Sequence, residues 1–289
     1  MKLTVFTPTY NRASKLNRVY QSLLKQNCFD FEWLIVDDGS VDCTEETVRG
    51  FQNEVSPFDI RYVKQENGGK HRAYNEALKL ALGDFFFCLD SDDWLEENVV
   101  KKVLSACQKL KNGRFIVAYK KDENGKLLSN CFPEIENCTL WELSEKYHCY
   151  GEYSLIFPTE LAKRFPFPTF EGEKFITESV VYDQIGTVAD ITILPEVITI
   201  CEYQADGLTN NLTSVMKQNP SGFCLYFMQR IDLVSSHKER VINAGKYQCF
   251  CIFAGKNKSR YFGKYKILVG LTKPLGMLFR IYYVRKRGF

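Results

Sequence analysis

The sequence predicts an α/β protein: a mostly parallel sheet with helices on both faces, extended by a mainly helical C-terminal region. Three observations predict it. Short β-rich runs alternate with helical patterns over the first 120 residues, at the spacing of βα units. Four consecutive strand ends carry polar, glycine-rich or acidic residues, and open α/β sheets bind ligands at that edge. From residue 212 onward the pattern is mainly helical.

The elements follow in order. KLTVFT (2–7) is a first strand, and residues 13–26 form a helix with Leu16, Val19, Tyr20, Leu23 and Leu24 on one face. EWLIVD (32–37) is a fully buried strand, TEETVRGF (44–51) a short helix and DIRYVK (59–64) a third strand. AYNEALKLAL (73–82) is a helix that stops at Gly83. DFFFCLD (84–90) is a fourth strand, LEENVVKKVLSACQKL (95–110) an amphipathic helix and RFIVAY (114–119) a further strand. The pattern then loosens into a loop with short strands (126–138), helices over 139–147 and 178–189, and a β-rich run over 192–204.

A chain of 289 residues, 45% hydrophobic and 25% charged, has ordinary globular composition and can bury a sizeable core without staples. No basic-then-apolar leader precedes the first strand, so the expectation is a cytosolic protein. Its 11 cysteines then read as reduced thiols, with Cys88, Cys224 and Cys251 as small core residues. No CxxC pair occurs, which speaks against a structural zinc site. From Arg240 to the end there are 12 Lys and Arg and no Asp or Glu, whereas the first 239 residues carry a net −9. This asymmetry points to an anionic partner for the tail. A membrane surface fits better than nucleic acid, because no DNA- or RNA-binding motif accompanies the charge. YKILVGLTKPLGMLFRIYYV (265–284) is long enough to span a bilayer, but Lys266, Lys273, Pro274 and Arg280 favour a segment lying at the interface.

The strand ends carry the chemistry. DSDDW (90–94) places three aspartates against an apolar strand; turn and N-cap duty accounts for one of them. Asp90 and Asp92 alternate by two and face one way if strand geometry persists, whereas Asp93 is placed to open the following helix. Paired carboxylates suit a hard divalent cation whose remaining ligands are water and phosphate oxygens. DDGSVDCT (37–44) ends a strand in a tight turn, and a carboxylate there can accept bonds from a base or ribose. ENGGKHRAYN (66–75) brings two glycines for close backbone approach, and Lys70, His71 and Arg72 to offset diphosphate charge; for His71 a solvated loop residue is also a fair reading. No P-loop and no GxGxxG follows any strand.

TPTYNR, DDGSVDCT, ENGGKHRAYNEAL and LDSDDWL, in this order and spacing, resemble the family 2 glycosyltransferases of GT-A fold, most strongly over residues 1–110. The resemblance implies inverting transfer from a nucleotide-sugar donor, with Mg²⁺ or Mn²⁺. By position it implies Thr7, Pro8 and Tyr10 at the base pocket and Asp38 at the base or ribose. Gly69, Lys70 and Asn75 fall near the nucleotide or its diphosphate, Asp90 and Ser91 in the donor site, and Asp92 with Asp90 at the metal. FEGEKFITESVVYDQI (170–185) resembles the acceptor segment, where an acid of a Glu-Asp pair serves as base. Here Ser179 follows Glu178, so the pair is broken; Glu178 is the expected base, with Glu171, Glu173 and Asp183 as rivals. EYQADGLTNN (202–211) resembles a stretch beside the donor phosphates. The implied organisation is a glycosyltransferase domain over 1–211, with a nucleotide-sugar half (1–110) and an acceptor half (111–211), and a basic helical region over 212–289. The implied partners are a donor, UDP-sugar before others, a glycan or lipid-linked acceptor, and the anionic inner face of the cell membrane. A nucleotidyltransferase and a catalytically inactive binding module are the alternatives.

Overall fold

The computed structural model describes residues 2–130, 132–202, 212–255 and 260–287. Its elements run β1 (Leu3–Thr9), α1 (Ala13–Leu24), β2 (Phe31–Asp37), α2 (Thr44–Asn53), β3 (Asp59–Lys64), α3 (Lys70–Leu80), β4 (Phe85–Cys88), β5 (Asp93–Leu95), α4 (Val100–Gln108), β6 (Arg114–Asp122), α5 (Leu140–Glu145), β7 (Tyr153–Pro158), α6 (Thr159–Lys163), α7 (Ser179–Ile185) and β8 (Asp190–Cys201). Among the described residues five helices follow: α8 (Leu212–Gln218), α9 (Pro220–Leu233), α10 (His237–Phe253), α11 (Lys266–Leu271) and α12 (Lys273–Arg287).

The chain divides into two compact units: Met1–Phe167 with Val181–Tyr203, and Pro168–Val180 with Gln204–Phe289. The first contains one eight-stranded sheet in the order β3-β2-β1-β4-β7-β6-β8-β5. β3, β2, β1 and β4 are mutually parallel, as are β6 and β8, whereas β7 runs antiparallel between β4 and β6 and β5 antiparallel beside β8. Every residue of β1 and β2 is buried, as strands covered by helices on both faces require. Leu16, Val19, Tyr20 and Leu23 pack one face of α1 into a core with Trp33, Ile35 and Phe87. Tyr20 stacks on Phe51 with ring centroids 4.3 Å apart.

At the edge away from the strand C-termini, fully buried Glu32 accepts from Thr4 Oγ1 (2.6 Å), Arg61 (2.7 Å) and the Leu82 N–H (2.7 Å). Gly83 fits against this network: a Cβ there would lie 2.5 Å from Thr4 N and 2.8 Å from Lys2 O.

Two expected elements shift. The helix expected over 73–82 starts at Lys70, because Gly69 adopts φ +97° and its carbonyl accepts the Arg72 N–H at 2.9 Å. The helix expected from 95 starts at Val100, because residues 93–95 pair with β8 as an additional strand. Buried Gln26 caps the new start, its Oε1 accepting from Val99 N (2.9 Å) and Val100 N (3.1 Å).

In the second unit α9, α10 and α12 pack around Phe223, Phe227, Ile231, Phe250 and Tyr283. Gly245 of α10 lies under Leu275 and Phe279, where a Cβ would come within 2.7 Å of Leu275. Buried Glu173 accepts from Ser221 N (2.7 Å) and Gly222 N (2.9 Å) and so caps α9. Asn219 Oδ1 accepts from Lys174 N and Phe175 N, stitching the same segment to that helix start. The tail forms two helices, α11 and α12, divided at Thr272. With one face of α12 packed on α10, its other face exposes Met277, Leu278, Ile281 and Val284 beside Lys273, Arg280 and Arg285. Among the described residues no helix is long and apolar enough to cross a membrane.

Candidate active site

The loops after β1, β2 and β3 are tied together. Thr7 is buried within β1, and its hydroxyl accepts from Trp33 Nε1 at 3.0 Å. Pro8 is buried beside it, and Tyr10, 47% exposed, presents a ring to solvent. Asn11, at φ 51°, donates its N–H to Ser40 Oγ (2.8 Å) and accepts the Val41 N–H at Oδ1 (2.9 Å). Asp37 is spent on structure: it accepts from Ser40 N (2.8 Å) and the Tyr62 hydroxyl (2.6 Å). Asp38 accepts four bonds, from Gln65 Nε2 (2.7 Å), Asn67 Nδ2 (3.2 Å), Gly68 N (2.9 Å) and Gly69 N (2.7 Å). One carboxylate therefore folds the glycine loop and fixes Gly69 at the start of α3.

That start places Lys70 in the first helical turn, its Nζ 2.6 Å from Asp90 Oδ1. His71 lies inward, 3% exposed, and among the described residues neither ring nitrogen has a hydrogen-bond partner. Burial, helped by Arg72 and opposed by Asp38, pulls its pKa down to about 4. It is a neutral core imidazole, so the solvated-loop reading fails and it brings no charge to a diphosphate at neutral pH. Asn75, on the same helix, is occupied at both amide atoms: Nδ2 donates to Phe167 O and Oδ1 accepts from Phe167 N, each at 2.8 Å.

β4 ends at Cys88, and residues 90–93 turn, with Asp93 N donating to Asp90 O at 3.0 Å. A turn, not strand alternation, thus arranges Asp90 and Asp92. Burial would push Asp90 up, but Lys70 and Lys120 prevail and hold it below the ordinary carboxylate range. Asp92 is raised, first by burial and then by the charge of Asp90, with Arg12 and Lys70 opposing. Ser91 is buried between them. Asp93 opens β5 rather than a helix; it faces Lys120 Nζ (3.3 Å) and Cys201 Sγ (3.2 Å), and burial pushes it up to about 6.

Among the described residues no three His, Cys, Asp or Glu side chains form a metal cage. The donor set present is a mutually repelling carboxylate pair beside the glycine loop. That set fits a hard divalent ion that draws its other ligands from phosphate and water, because such an ion needs few protein carboxylates.

Glu178 directly precedes α7 and belongs to the second unit, where it is half-buried. Of its rivals, Glu173 is committed to the α9 cap, Glu171 is exposed and Asp183 lies within α7. Of EYQADGLTNN only Glu202 is described, and it pairs with Lys15 (2.8 Å) and Arg18; residues 203–211 lie outside the described residues.

Three neighbours of the acidic turn escaped the sequence reading. Lys120 does so because β6 runs to Asp122, past the strand that the sequence predicts over 114–119. Arg12 ends the TPTYNR stretch, and its charge opposes the rise at Asp92. Arg18 stacks its guanidinium 4.1 Å over Trp94 and donates to Asp92 O at 3.3 Å; only the one-turn spacing of Lys15 and Arg18 hinted at it.

The family model for "Glycosyl transferase family 2" matches residues 4–157, more than half of the chain. The chain belongs to glycosyl transferase family 2. It is 28% identical over 235 residues to the uncharacterized glycosyltransferase MG060 of Mycoplasma genitalium, covering 80% of this chain and 71% of that one. It is 34% identical over 103 residues to the poly(ribitol-phosphate) beta-N-acetylglucosaminyltransferase TarS of Staphylococcus aureus, covering 35% of this chain and 18% of that one. The chain thus spans most of the first relative but a small part of the second. Crystal structures of S. aureus TarS 1–349 with UDP and with UDP-GlcNAc both superpose with TM-score 0.62, at 19% and 17% identity, covering 98% and 97% of this chain and 90% and 92% of theirs. The mannosyltransferase PcManGT of Pyrobaculum calidifontis, with GDP-Man and Mn²⁺, superposes with TM-score 0.57 at 17% identity, covering 98% of this chain and 85% of that one. The fold is therefore the GT-A type with a helical C-terminal region. As a family member the protein is a nucleotide-sugar-dependent glycosyltransferase.

Proposed function

We propose that the protein transfers one sugar, with inversion, from a UDP-sugar to a hydroxyl of a glycan or lipid-linked acceptor in surface polysaccharide synthesis. The observation that carries the donor half is the acidic turn: Asp90 and Asp92 stand at a strand end with Lys70 of α3 against Asp90. Tyr10 stacks on the base, with Thr7 and Pro8 forming the floor behind it. Asp38 positions the base or ribose and, through the bonds it already makes, shapes the loop around it. Gly69 and Lys70 face the diphosphate at the positive end of α3, with Asn75 holding that helix in place. Ser91 completes the donor pocket. Asp90 and Asp92 hold Mn²⁺ or Mg²⁺, which when bound offsets charge on the leaving diphosphate. Glu178 takes the acceptor hydroxyl proton as that oxygen attacks the anomeric carbon and the bond to the diphosphate breaks. The TarS complexes with UDP and UDP-GlcNAc support the choice of nucleotide, and the PcManGT complex with Mn²⁺ supports the metal.

The same reading places the enzyme on the cytosolic face of the cell membrane, held peripherally by its basic C-terminal region. The outer face of α12, apolar and flanked by cations, supports it.

The test is a thermal-shift panel of UDP, GDP, dTDP, CDP and ADP, each with and without Mn²⁺. A ligand at a hundredfold its dissociation constant adds about 2.7 kcal/mol. We expect UDP with Mn²⁺ to shift the transition and Asp92→Asn to abolish the shift. A shift with another nucleotide alone overturns the UDP assignment. Nucleotide binding with no transfer to any acceptor would make the chain an inactive binding module.

A further inference from the structure

The second unit contains a cavity of about 580 Å³, lined in part by Thr177, the residue before Glu178. Its size is that of small-molecule sites. α9 supplies Phe223, Tyr226 and Phe227 to its wall, and α12 supplies Phe279, Tyr282 and Tyr283. Such a lining is made to cover hydrocarbon. Into it projects one cation, Lys246 of α10, with Asn243 three residues earlier on the same helix face. The Lys246 ammonium stands 5.2 Å from the Phe227 ring centroid and forms no ion pair among the described residues.

None of the described acids forms an ion pair with Lys246, including Glu178, which follows Thr177 of the lining. Glu173 caps α9, and Asp232 accepts from the Tyr261 hydroxyl at 2.6 Å. No Asp or Glu occurs after Glu239 in the sequence. A half-buried ammonium without a counter-ion is costly, and burial accordingly lowers its basicity. An anion delivered by a ligand would offset that cost.

We propose that this cavity binds an amphiphile: a hydrocarbon chain seated between α9 and α12, with a phosphate group at its end received by Lys246 and Asn243. The two halves of the lining call for the two halves of one molecule. The source favoured is membrane lipid, because Tyr282 of the lining belongs to the helix that exposes Met277, Leu278, Ile281 and Val284. The claim concerns binding alone and holds whether or not the bound lipid is the sugar acceptor.

The experiment is calorimetric titration of the full chain with dodecyl phosphate below its micelle threshold, with dodecanol and inorganic phosphate as separate arms. We expect saturable one-to-one binding of dodecyl phosphate, at least tenfold weaker binding of dodecanol, and none of phosphate. Lys246→Met should weaken dodecyl phosphate at least tenfold and leave dodecanol unchanged, whereas Lys246→Arg should retain most of the affinity. An unaltered UDP shift and melting temperature in both variants would show that they fold. Equal binding by inorganic phosphate would reduce the site to a free-anion site and overturn the proposal. So would undiminished affinity in Lys246→Met, non-saturating uptake, or no binding at all.

Discussion

His71 makes the acid side of the stability curve a test of the site's architecture. The ring is buried in the first turn of α3 with both nitrogens unpartnered among the described residues, and its pKa falls to about 4 against an ordinary value near 6.5. A base whose folded pKa is depressed binds fewer protons folded than unfolded. Its contribution is therefore intact above about 6.5 and is lost as pH falls towards about 4. The gap corresponds to about 3 kcal/mol, of which about 2 kcal/mol is lost by pH 5. His71→Leu keeps the volume and removes the titration. The assay is urea unfolding of wild type and variant at pH 7.5 and pH 5, followed through the transition of the first unit. Comparing the two proteins cancels Asp93, which burial pushes up to about 6 and whose effect on stability has the opposite sign. The variant should gain about 2 kcal/mol relative to wild type on acidification. Parallel pH dependence in both proteins would refute the claim that a neutral imidazole is locked beneath the glycine loop.

Other expectations are as direct. Glu178→Gln should lower turnover at least a hundredfold, the scale of a lost general base, while UDP binding stays unchanged. Gly83→Ala should cost about 1–3 kcal/mol by overpacking against the Lys2–Thr4 backbone, measurable as a lower urea midpoint with UDP affinity retained in the folded fraction. Ile281→Glu on the exposed face of α12 should leave the melting temperature unchanged and markedly reduce co-sedimentation with vesicles rich in anionic lipid. Glu173→Ala should destabilise the second unit by about 1–2 kcal/mol through the lost α9 cap, read as a lower melting temperature.

The parallel half of the sheet was legible because its strands are continuous apolar runs closed by polar turns, a signal contained in neighbouring residues. β5 and β7 were not. Asp93–Leu95 is three residues long and becomes a strand only because β8, a hundred residues on, pairs with it. Tyr153–Pro158 runs antiparallel between two strands distant in sequence, so no local alternation with a helix announces it. The acidic turn was visible as a cluster against a strand, yet which aspartate titrates how depends on Lys70 and Lys120, supplied by α3 and β6. His71 was misread for the same reason: helix phase decides burial, and the phase was set by Gly69 starting α3 early.

Asn75 has a wider consequence for how motifs are read. The Phe167 peptide offers it one carbonyl and one N–H, so the residue facing it must both donate and accept. An aspartate would set charge against the carbonyl, and a leucine would leave both groups unmet; only the amide answers both. Phe167 is also the last residue before the chain leaves the first unit. Finding this asparagine in another chain of the same fold would thus report how a crossing is tethered, and a copy that had lost its chemistry would have every reason to keep it.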